Sequence, residues 1–309
     1  MTRVVIITPV NRYLGFSAPV SPVDQFSQAA QKLSEKVEVV FIDPQKSHLE
    51  IDVNNVRLMD SRGKKVCGDV YFAFGHDLLD RNMTKYIIKA LEMSGKKVIN
   101  GYDSLTLLDD KALMAIELSK FNLPVAKSAI ASARSNADAI IKFIGGDKLI
   151  AKTSGFSAGG VGVEPLIPSI DYLAPVIWST RMDSKPKILQ SDLYTSDKES
   201  RSVIRAYIVG GKIVGCYTTD GFGIVNCAGL TRESKAKTYN PTKEQARILL
   251  AAAKTVKTMG YCRIDAVGGC ESFAIIEINP LARIDAEHYG LDVPKAILEY
   301  ALELNRENK

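Results

Sequence analysis

The sequence lacks the patterns that mark disulfide-stabilised, zinc-binding and membrane proteins. Its 309 residues include five cysteines, Cys67, Cys216, Cys227, Cys262 and Cys270, with no C-x-x-C pair. We therefore expect reduced core thiols, as in a cytosolic protein, rather than a disulfide framework or a zinc site. No apolar run approaches membrane-spanning length, and the N-terminal MTRVVIITPV is too short for a signal-peptide core. These absences predict a cytoplasmic protein with no membrane partner.

Clustered basic charge is lacking as well. The 40 Lys and Arg residues outnumber the 35 Asp and Glu residues, which gives a net charge of +5, but they are scattered along the chain. Because a surface that follows nucleic-acid phosphates needs clustered Lys and Arg, we expect no nucleic-acid partner. An anionic substrate explains the surplus equally well.

The first hundred residues alternate short apolar runs with helical patterns. The runs are VVIITPV from Arg3, VEVVFID to Asp43, DVYFAFG from Asp69 and KKVIN to Asn100, with helices predicted near 23–35 and 82–94. Strands separated by helix-length segments indicate an open α/β sheet with crossover connections. We predict that residues 1–105 form this α/β domain.

The remaining chain is predicted to form two further units, 106–186 and 187–309. The first begins with a helix near 109–121 and contains the strand KLIAK, which ends at Lys152. Three strand patterns follow, KILQSDLY, SVIRAYIV and KIVGCYTT, the last two joined by a Gly210-Gly211 hairpin turn. A helix near 243–259, a second hairpin and a C-terminal helix complete the pattern, so the fold class is α/β with an α+β C-terminal part.

The second hairpin, YCRIDAVGGCESFAIIEINP, sorts its residues onto two faces by alternation. One predicted face carries Ile264, Ala266, Ala274, Ile276 and Ile278, and the other carries Arg263, Asp265, Glu277 and Asn279. With a turn near 268–272, Asp265 and Glu277 lie opposite or diagonal to each other, close enough to hold one cation. Oxygen ligands of this kind suit Mg²⁺, although a solvated polar face is the commoner use of such a hairpin.

A glycine-rich run, TSGFSAGGVGV, follows Lys152 directly. Its glycines, Gly155, Gly159, Gly160 and Gly162, let the backbone approach an anion and present N–H groups to it, as in phosphate sites. The run matches neither the Walker A pattern nor the G-x-G-x-x-G fingerprint, which are both absent from the chain. A flexible surface loop is the alternative, with Lys152 an ordinary strand-end lysine and Lys111 a solvated helix charge.

The order of these motifs resembles that of the ATP-grasp superfamily. The matching segments are NGYDSL…DDK, AKTSGFSAGGVGV, the strand patterns after it as a three-strand nucleotide-holding sheet, and RIDA…IIEINP, across about 100–280. Within the superfamily the chain is most similar to the group of the ribosomal-protein glutamate ligase and prokaryotic glutathione synthetase. The resemblance implies an N-terminal domain plus two subdomains that clasp ATP.

The resemblance also implies roles for individual residues. Lys111 and Lys152 would reach the ATP phosphates, and the loop that carries Ser157 would close over them. The metal ligands, for Mg²⁺ or alternatively Mn²⁺, would be Asp265, Glu277 and Asn279. Arg205 would lie near the transferred phosphoryl group and serve with Lys152 in catalysis. The strand that meets adenine would comprise Gln190, Ser191, Asp192 and Leu193.

Several positions depart from the family pattern. In the family, the Gln of the adenine strand is often followed by Glu and an aromatic residue. Here Gln190 is followed by Ser191 and Asp192, so the acid that holds the ribose is left open. The segment 221–226 resembles a G-x-F-R-x-N loop that ends at Asn226, but Ile224 replaces its Arg. We therefore expect substrate contacts at Asn226 and, in place of that Arg, at Arg232. After the second hairpin, PLARID follows Asn279 where the family has small residues and a Pro-Gly turn, which makes Arg283 a candidate contact for a substrate carboxylate.

The resemblance predicts an ADP-forming carbon–nitrogen ligase. It would activate a carboxylate as an acyl phosphate and join it to an amine, adding an amino acid such as glutamate. A non-catalytic ATP-binding regulatory module of the same fold is the alternative, and a thiol or protein-terminus acceptor is a third possibility. The implied partners are small-molecule carboxylate and amine substrates, and the implied assembly is a homodimer or homotetramer.

Overall fold

A computed structural model describes eleven segments of the chain: residues 1–9, 21–53, 55–74, 81–146, 148–153, 163–183, 185–193, 202–220, 236–268, 273–282 and 290–307. The strands are β1 (Thr2–Ile7), β2 (Val37–Ile42), β3 (His48–Asp52), β4 (Asn55–Met59), β5 (Val70–Ala73), β6 (Lys97–Ile99), β7 (Ser128–Ala131), β8 (Leu149–Thr153), β9 (Val163–Leu166), β10 (Lys187–Ser191), β11 (Ser202–Val209), β12 (Lys212–Asp220), β13 (Ala236–Thr238), β14 (Tyr261–Val267) and β15 (Ala274–Asn279). The helices are α1 (Pro22–Gln31), α2 (Arg81–Met93), α3 (Tyr102–Leu108), α4 (Lys111–Lys120), α5 (Ala137–Ile144), α6 (Ile170–Asp183), α7 (Lys243–Thr255) and α8 (Val293–Arg306), with a 3-10 turn at Pro44–Lys46.

The N-terminal sheet is parallel, with the strand order β2-β1-β5-β6. Its central strands are buried on both faces, as expected of a parallel sheet whose crossover helices cover it. The predicted open α/β sheet is therefore confirmed. In chain order, β2 is followed by a short antiparallel hairpin, β3-β4, that precedes β5. The apolar pattern of the sequence does not predict this hairpin.

The middle sheet is antiparallel, with the order β7-β10-β8-β9. The expectation that the strand KILQ joins the two strands after it in a three-strand sheet is wrong, because β10 pairs with β7 and β8 instead. The neighbours of β10 could not be predicted from its own sequence, because alternation fixes the two faces of a strand but not the strands beside it. The domain limits at 105 and 186 stay predictions, and by sheet membership β10 goes with the middle unit.

The C-terminal sheet is antiparallel, with the order β13-β12-β11-β14-β15. Gly210 and Gly211 form the predicted turn between β11 and β12, both with the positive φ that a two-residue hairpin of this kind requires. One face of the sheet packs on α7, through Ala206, Ile208, Ile264 and Ile278 against Leu249 and Ala252. The other face turns toward α8 and the N-terminal sheet.

Helix α8 lies between the N-terminal and C-terminal sheets. Its apolar residues Val293, Ile297 and Ala301 share one core cluster with Val4 of β1 and Tyr207 of β11. The N-terminal unit therefore packs on the same face of the C-terminal sheet that carries the polar residues described below.

Asn100 joins the same two sheets by hydrogen bonds. Its Nδ2 donates to the carbonyl of Tyr261 and, at 3.1 Å, to that of Pro280, while its Oδ1 accepts from the Tyr261 N–H at 3.2 Å. The residue is buried and has a φ of 61°, a left-handed conformation that asparagine tolerates better than most residues. The end of β6 is thereby fixed to the first residue of β14 and to the turn after β15.

Two further expectations can be compared with the structure. Within the described segments, no helix is both long and apolar enough to cross a bilayer. Cys216 and Cys262 are buried thiols as predicted, whereas Cys67 is exposed and is therefore not a core thiol. Cys227 and Cys270 lie outside the described residues.

Candidate functional site

A row of polar side chains crosses one face of the C-terminal sheet. Tyr217 on β12 lies opposite Arg205 on β11, Arg205 lies opposite Asp265 on β14, and Asp265 lies opposite Glu277 on β15. Because residues directly opposite each other in an antiparallel sheet point to the same side, all of these side chains share one face. The predicted opposition of Asp265 and Glu277 is confirmed.

Asp265 is held between two arginines. Arg263, two residues earlier on the same strand, donates to both carboxylate oxygens, from Nε at 2.8 Å and from Nη2 at 3.2 Å. The Nε of Arg205 lies 3.7 Å from Oδ2 of the same carboxylate. A carboxylate between two guanidinium groups is fixed in orientation and strongly neutralised.

Arg205 is a buried member of this row. Burial and the nearby charge of Arg263 act to lower the pKa of Arg205, but Asp265 and Tyr217 oppose them and the pKa is raised above its ordinary value. Its Nη1 also donates to the Tyr217 hydroxyl at 3.5 Å, and the guanidinium lies over the Tyr217 ring. Arg205 is thus a permanent positive charge in a site of low exposure.

Glu277 is the more accessible acid of the pair. Its Oε1 lies 3.9 Å from Nζ of Lys111, and the two side chains are 34% and 12% exposed. Lys111 is the first residue of α4, whose N-cap Asp110 accepts from the N–H groups of Ala112 and Leu113. The predicted lysine and the predicted acid therefore meet although they come from different units.

The hairpin differs from the prediction in one respect. Its register shifts between Asp265 and Ala266, so that Ala266 lies opposite Ile275 and the strand bulges at Ile276. Ile275 and Ile278 are the buried core residues, whereas Ile276 is only partly buried. The placement of Ala274 and Ile276 on the core face was therefore wrong, because alternation counts residues and cannot see an inserted one.

Asn279 ends β15 opposite Arg263. Its Oδ1 accepts from the N–H of Leu281 at 3.3 Å, which orients the amide at the end of the strand. Asn279 lies on the same face as Glu277, two residues away, so the three predicted metal ligands share one surface.

The middle sheet contributes Lys152 and Gln190 from one of its faces. Lys152 on β8 lies opposite Ile188 on β10, which places Gln190 on the same side, with Ser191 on the other. Gln190 is buried and its Nε2 donates to the Ser128 hydroxyl at 2.9 Å. The N–H groups of Ser191 and Asp192 donate to the carbonyls of Lys127 and Lys148, so these two backbone donors are used within the fold.

Several predicted site residues lie outside the described segments. They are the loop residues Gly155, Ser157, Gly159, Gly160 and Gly162, and the substrate candidates Asn226, Arg232 and Arg283. Leu193 is described and lies two residues after the end of β10. The roles of all these residues stay predictions.

Comparison with known proteins decides the family. The family model of the RimK-like ATP-grasp domain matches residues 108–301, well over half of the chain. The chain belongs to this family. The match spans α4, the middle sheet, the C-terminal sheet and most of α8, and therefore contains every residue of the site described above.

This RimK-like chain is similar to curated ligases in sequence and to ATP-grasp ligases in structure. It is 23% identical to a probable alpha-L-glutamate ligase of Teredinibacter turnerae over 217 residues, 69% of this chain and 70% of the relative. It is similar in structure to the ATP-grasp ligase PsnB complexed with a phosphomimetic variant of a minimal precursor, Mg and ADP, with a TM-score of 0.68, 14% identity and 99% of both chains covered. D-alanine–D-alanine ligase from Bacillus anthracis matches with a TM-score of 0.65, 17% identity and 100% of both chains covered. At these identities the solved structures establish the ATP-grasp fold.

The donor atoms of the RimK-like site suit a hard cation that is coordinated partly by the protein and partly by water and phosphates. Among the described residues, no group of three or more His, Cys, Asp and Glu side chains is placed to enclose a metal. Asp265 and Glu277 do share a face with the amide of Asn279, and all three offer oxygen. Mg²⁺ typically uses one or two carboxylates and takes its remaining ligands from water and phosphates, which suits this donor set.

Sequence reasoning missed two features of the site. Arg263 was placed on the polar face by alternation, but its double hydrogen bond to Asp265 was not expected. A second ion-pair group, in which Asp109 contacts both Arg81 and Lys85 of α2, was not anticipated because it joins separate elements. The only local signal was the DDK triplet, whose first acid had no assigned partner.

Proposed function

We propose that this chain is an ADP-forming carboxylate–amine ligase that uses ATP and Mg²⁺. The observation that carries the proposal is the cross-strand pair Asp265 and Glu277, flanked by Arg205, Arg263 and Lys111. Membership of the RimK-like ATP-grasp family supports it, as does the similarity to ligases whose solved structures hold Mg and ADP. A face with three cations and two carboxylates is arranged to attract a polyanion such as a triphosphate.

Asp265, Glu277 and Asn279 would hold Mg²⁺ in this site. The ion supplies charge neutralisation of the terminal phosphates and orients them for in-line attack. Lys111 would bind a phosphate oxygen from one side, and Lys152 would approach from the face of the middle sheet. Asp265 keeps its orientation through Arg263, so the carboxylate is preorganised before nucleotide binds.

In the first step, a substrate carboxylate oxygen attacks the γ-phosphorus of ATP and the bond to the β-phosphate oxygen breaks, which yields an acyl phosphate and ADP. In the second, an amine attacks the acyl carbon and phosphate leaves, while the amine's surplus proton passes to solvent or to the departing phosphate. Arg205, a buried cation, is suited to stabilise the oxyanion that forms in between. No step requires a side-chain nucleophile, and burial raises the pKa of the Cys216 and Cys262 thiols to about 12.

We infer further that the amine or the carboxylate is an amino acid such as glutamate. The support is the name of the curated relatives, which are probable alpha-L-glutamate ligases. The structure of PsnB complexed with a precursor peptide favours a second candidate, in which the acceptor is a peptide. The non-catalytic alternative has less support, because Lys111, Lys152, Asp265, Glu277 and Asn279 are all retained.

The experiment that tests the proposal measures ADP release with candidate carboxylates and amines supplied separately and together. We expect ADP release that depends on both. With a carboxylate labelled with heavy oxygen, one labelled atom should appear in the released phosphate, because the attacking oxygen leaves with the phosphoryl group. ADP release that needs no carboxylate, or unlabelled phosphate, would contradict the acyl-phosphate route. ADP release that needs no amine would contradict the assignment as an amine ligase, and product mass would separate amino-acid from peptide acceptors.

We also propose, by analogy with families of this kind, that the protein is a homodimer or homotetramer. It would act in the cytoplasm on small-molecule substrates, without nucleic acid. Light scattering of the purified protein would decide the assembly.

A further inference from the structure

Asp109 forms an ion-pair group with the beginning of α2. The Nε of Arg81 contacts Asp109 Oδ1, and Nζ of Lys85 lies 2.7 Å from Asp109 Oδ2. We call Arg81, Lys85 and Asp109 the Asp109 anchor. Arg81 is only 7% exposed, and burial lowers its pKa although Asp109 and Glu277 oppose that shift. The anchor therefore combines one carboxylate with two cations, of which Arg81 is buried.

Two charges of the anchor are poorly placed with respect to the neighbouring helix dipoles. Arg81 is the first residue of α2, where the dipole is positive, with Lys85 one turn further on, and Asp109 is the C-cap of α3, where the dipole is negative. Such positions are disfavoured for an isolated charge, and a buried arginine also requires a partner. Because the three charges meet, their mutual attraction offsets these costs. The helix-dipole preference is thus overridden by a contact between separate helices, which is typical of functional sites.

The anchor is directly connected to the nucleotide lysine of the proposed function. Asp109, the residue before the N-cap of α4, is held laterally against α2, while Asp110 caps α4 along its axis. Lys111 comes next and reaches Glu277 across the unit boundary. Two consecutive carboxylates thus fix the first turn of α4 in two directions.

We propose that Asp109 is a positioning residue that sets the Lys111 ammonium against Glu277 through its pairing with Arg81 and Lys85. The inference rests on the proposed function for the role of Lys111. It assigns to the N-terminal α/β unit, which contributes α2, a share in the affinity for nucleotide. A shift of about 1 Å in a charged contact is enough to change binding or rate severalfold or more.

The test is a double-mutant cycle on the affinity for a non-hydrolysable ATP analogue in the presence of Mg²⁺. The variants are Asp109→Asn, Lys111→Ala and the combination of both. Asp109→Asn should weaken binding by roughly threefold to thirtyfold in the wild-type background. It should have almost no effect when Lys111 is already alanine, because the group that it positions is gone.

Glu92→Ala is the matched control. Glu92 also joins α2 to α3, since its Oε1 accepts from the Tyr102 N–H at 3.1 Å, but it does so away from Lys111. This variant should lower the thermal midpoint and leave analogue affinity unchanged. Lys85→Gln, made alone and in the Lys111→Ala background, removes one partner of Asp109 and should weaken binding less than Asp109→Asn does. Its own cycle keeps the test decisive if Asp109→Asn does not fold.

The possible outcomes distinguish a failure of the positioning role of Asp109 from a failure of the proposed ligase function. Equal weakening by the anchor variants with and without Lys111, or weakening by Glu92→Ala to the same extent, would show a merely structural link and overturn the inference alone. Failure of the wild-type protein to bind the analogue would overturn the proposed function and the inference with it.

Discussion

Arg205 and Asp265 lie opposite each other on β11 and β14, with Nε of the arginine 3.7 Å from Oδ2 of the aspartate. The same register continues to Glu277 on the next strand. One cation and two acids therefore lie on three neighbouring strands, about 5 Å from one strand to the next. The sheet fixes this spacing without any contribution from loops.

Glu277→Gln should reduce ATP turnover at least about a hundredfold, because it removes a charged ligand that the transferring phosphates require. The thermal midpoint without nucleotide should change by less than about 3 °C, since a partly exposed ion pair contributes about 1 kcal/mol at most. Coupled ADP detection and differential scanning fluorimetry measure the two effects.

Glu303→Gln provides the control for that variant. Glu303 forms a surface ion pair with Lys212, also at 3.9 Å, beside the turn between β11 and β12, so the same chemical change occurs away from the site. Its turnover should equal that of the wild type. A Glu277→Gln protein that is strongly destabilised yet fully active would contradict the assignment.

Arg205→Ala should lower turnover by about 10² to 10³ while analogue affinity changes much less, because its charge is most needed when the oxyanion forms. Some stability is lost as well, since a buried arginine is removed from Asp265, although Arg263 still pairs with that acid. Steady-state kinetics and analogue titration separate the two quantities.

Tyr217→Phe is the companion variant for Arg205. It keeps the ring beneath the guanidinium and removes only the hydroxyl that accepts from Nη1. Turnover should stay within about threefold of the wild type, as for the loss of one long, weak hydrogen bond. An Arg205→Ala enzyme as active as Tyr217→Phe would exclude Arg205 from the reacting groups.

Asn100 variants should lose stability in a graded way. Asn100→Gly removes the side-chain hydrogen bonds to Tyr261 and Pro280 and should cost about 1 to 3 kcal/mol. Asn100→Ala should cost about 1 kcal/mol more, because alanine is strained at a φ of 61°. Urea unfolding measures both, and an alanine variant more stable than the glycine variant would contradict this account of the joint.

Thiol labelling should distinguish the described cysteines. At pH 8, iodoacetamide should modify the exposed Cys67 but not Cys216 or Cys262, which are buried and whose thiol pKa burial raises to about 12. Peptide mass spectrometry before and after unfolding gives the extent at each site. Modification of Cys216 in the native protein as fast as that of Cys67 would contradict the buried assignment.

The opposition of Asp265 and Glu277 could be predicted because it is local. A hairpin with a short turn has few registers, and alternation then assigns the faces. The bulge at Ile276 was not predictable from the same pattern, since AIIEIN is apolar at three adjacent positions that fit either face. The error moved two apolar residues but left Glu277 on the correct side.

Contacts between distant segments account for what the sequence could not show. The pairing of β10 with β7 joins residues about sixty positions apart, and strand alternation contains no information about that choice. Likewise, Arg81 and Asp109 lie on different helices, so no periodicity links them. Motif order was able to place Lys111 near Glu277, whereas the anchor that holds Lys111 became visible only in the folded chain.

The most direct test of the central claim is a crystal structure with a non-hydrolysable ATP analogue and Mn²⁺, located by its anomalous scattering. The account predicts a manganese peak within about 2.5 Å of carboxylate oxygens of both Asp265 and Glu277, bridged to the analogue's phosphates. A nucleotide bound elsewhere, or a peak remote from both acids while they keep only their pairs with Arg263 and Lys111, would contradict it.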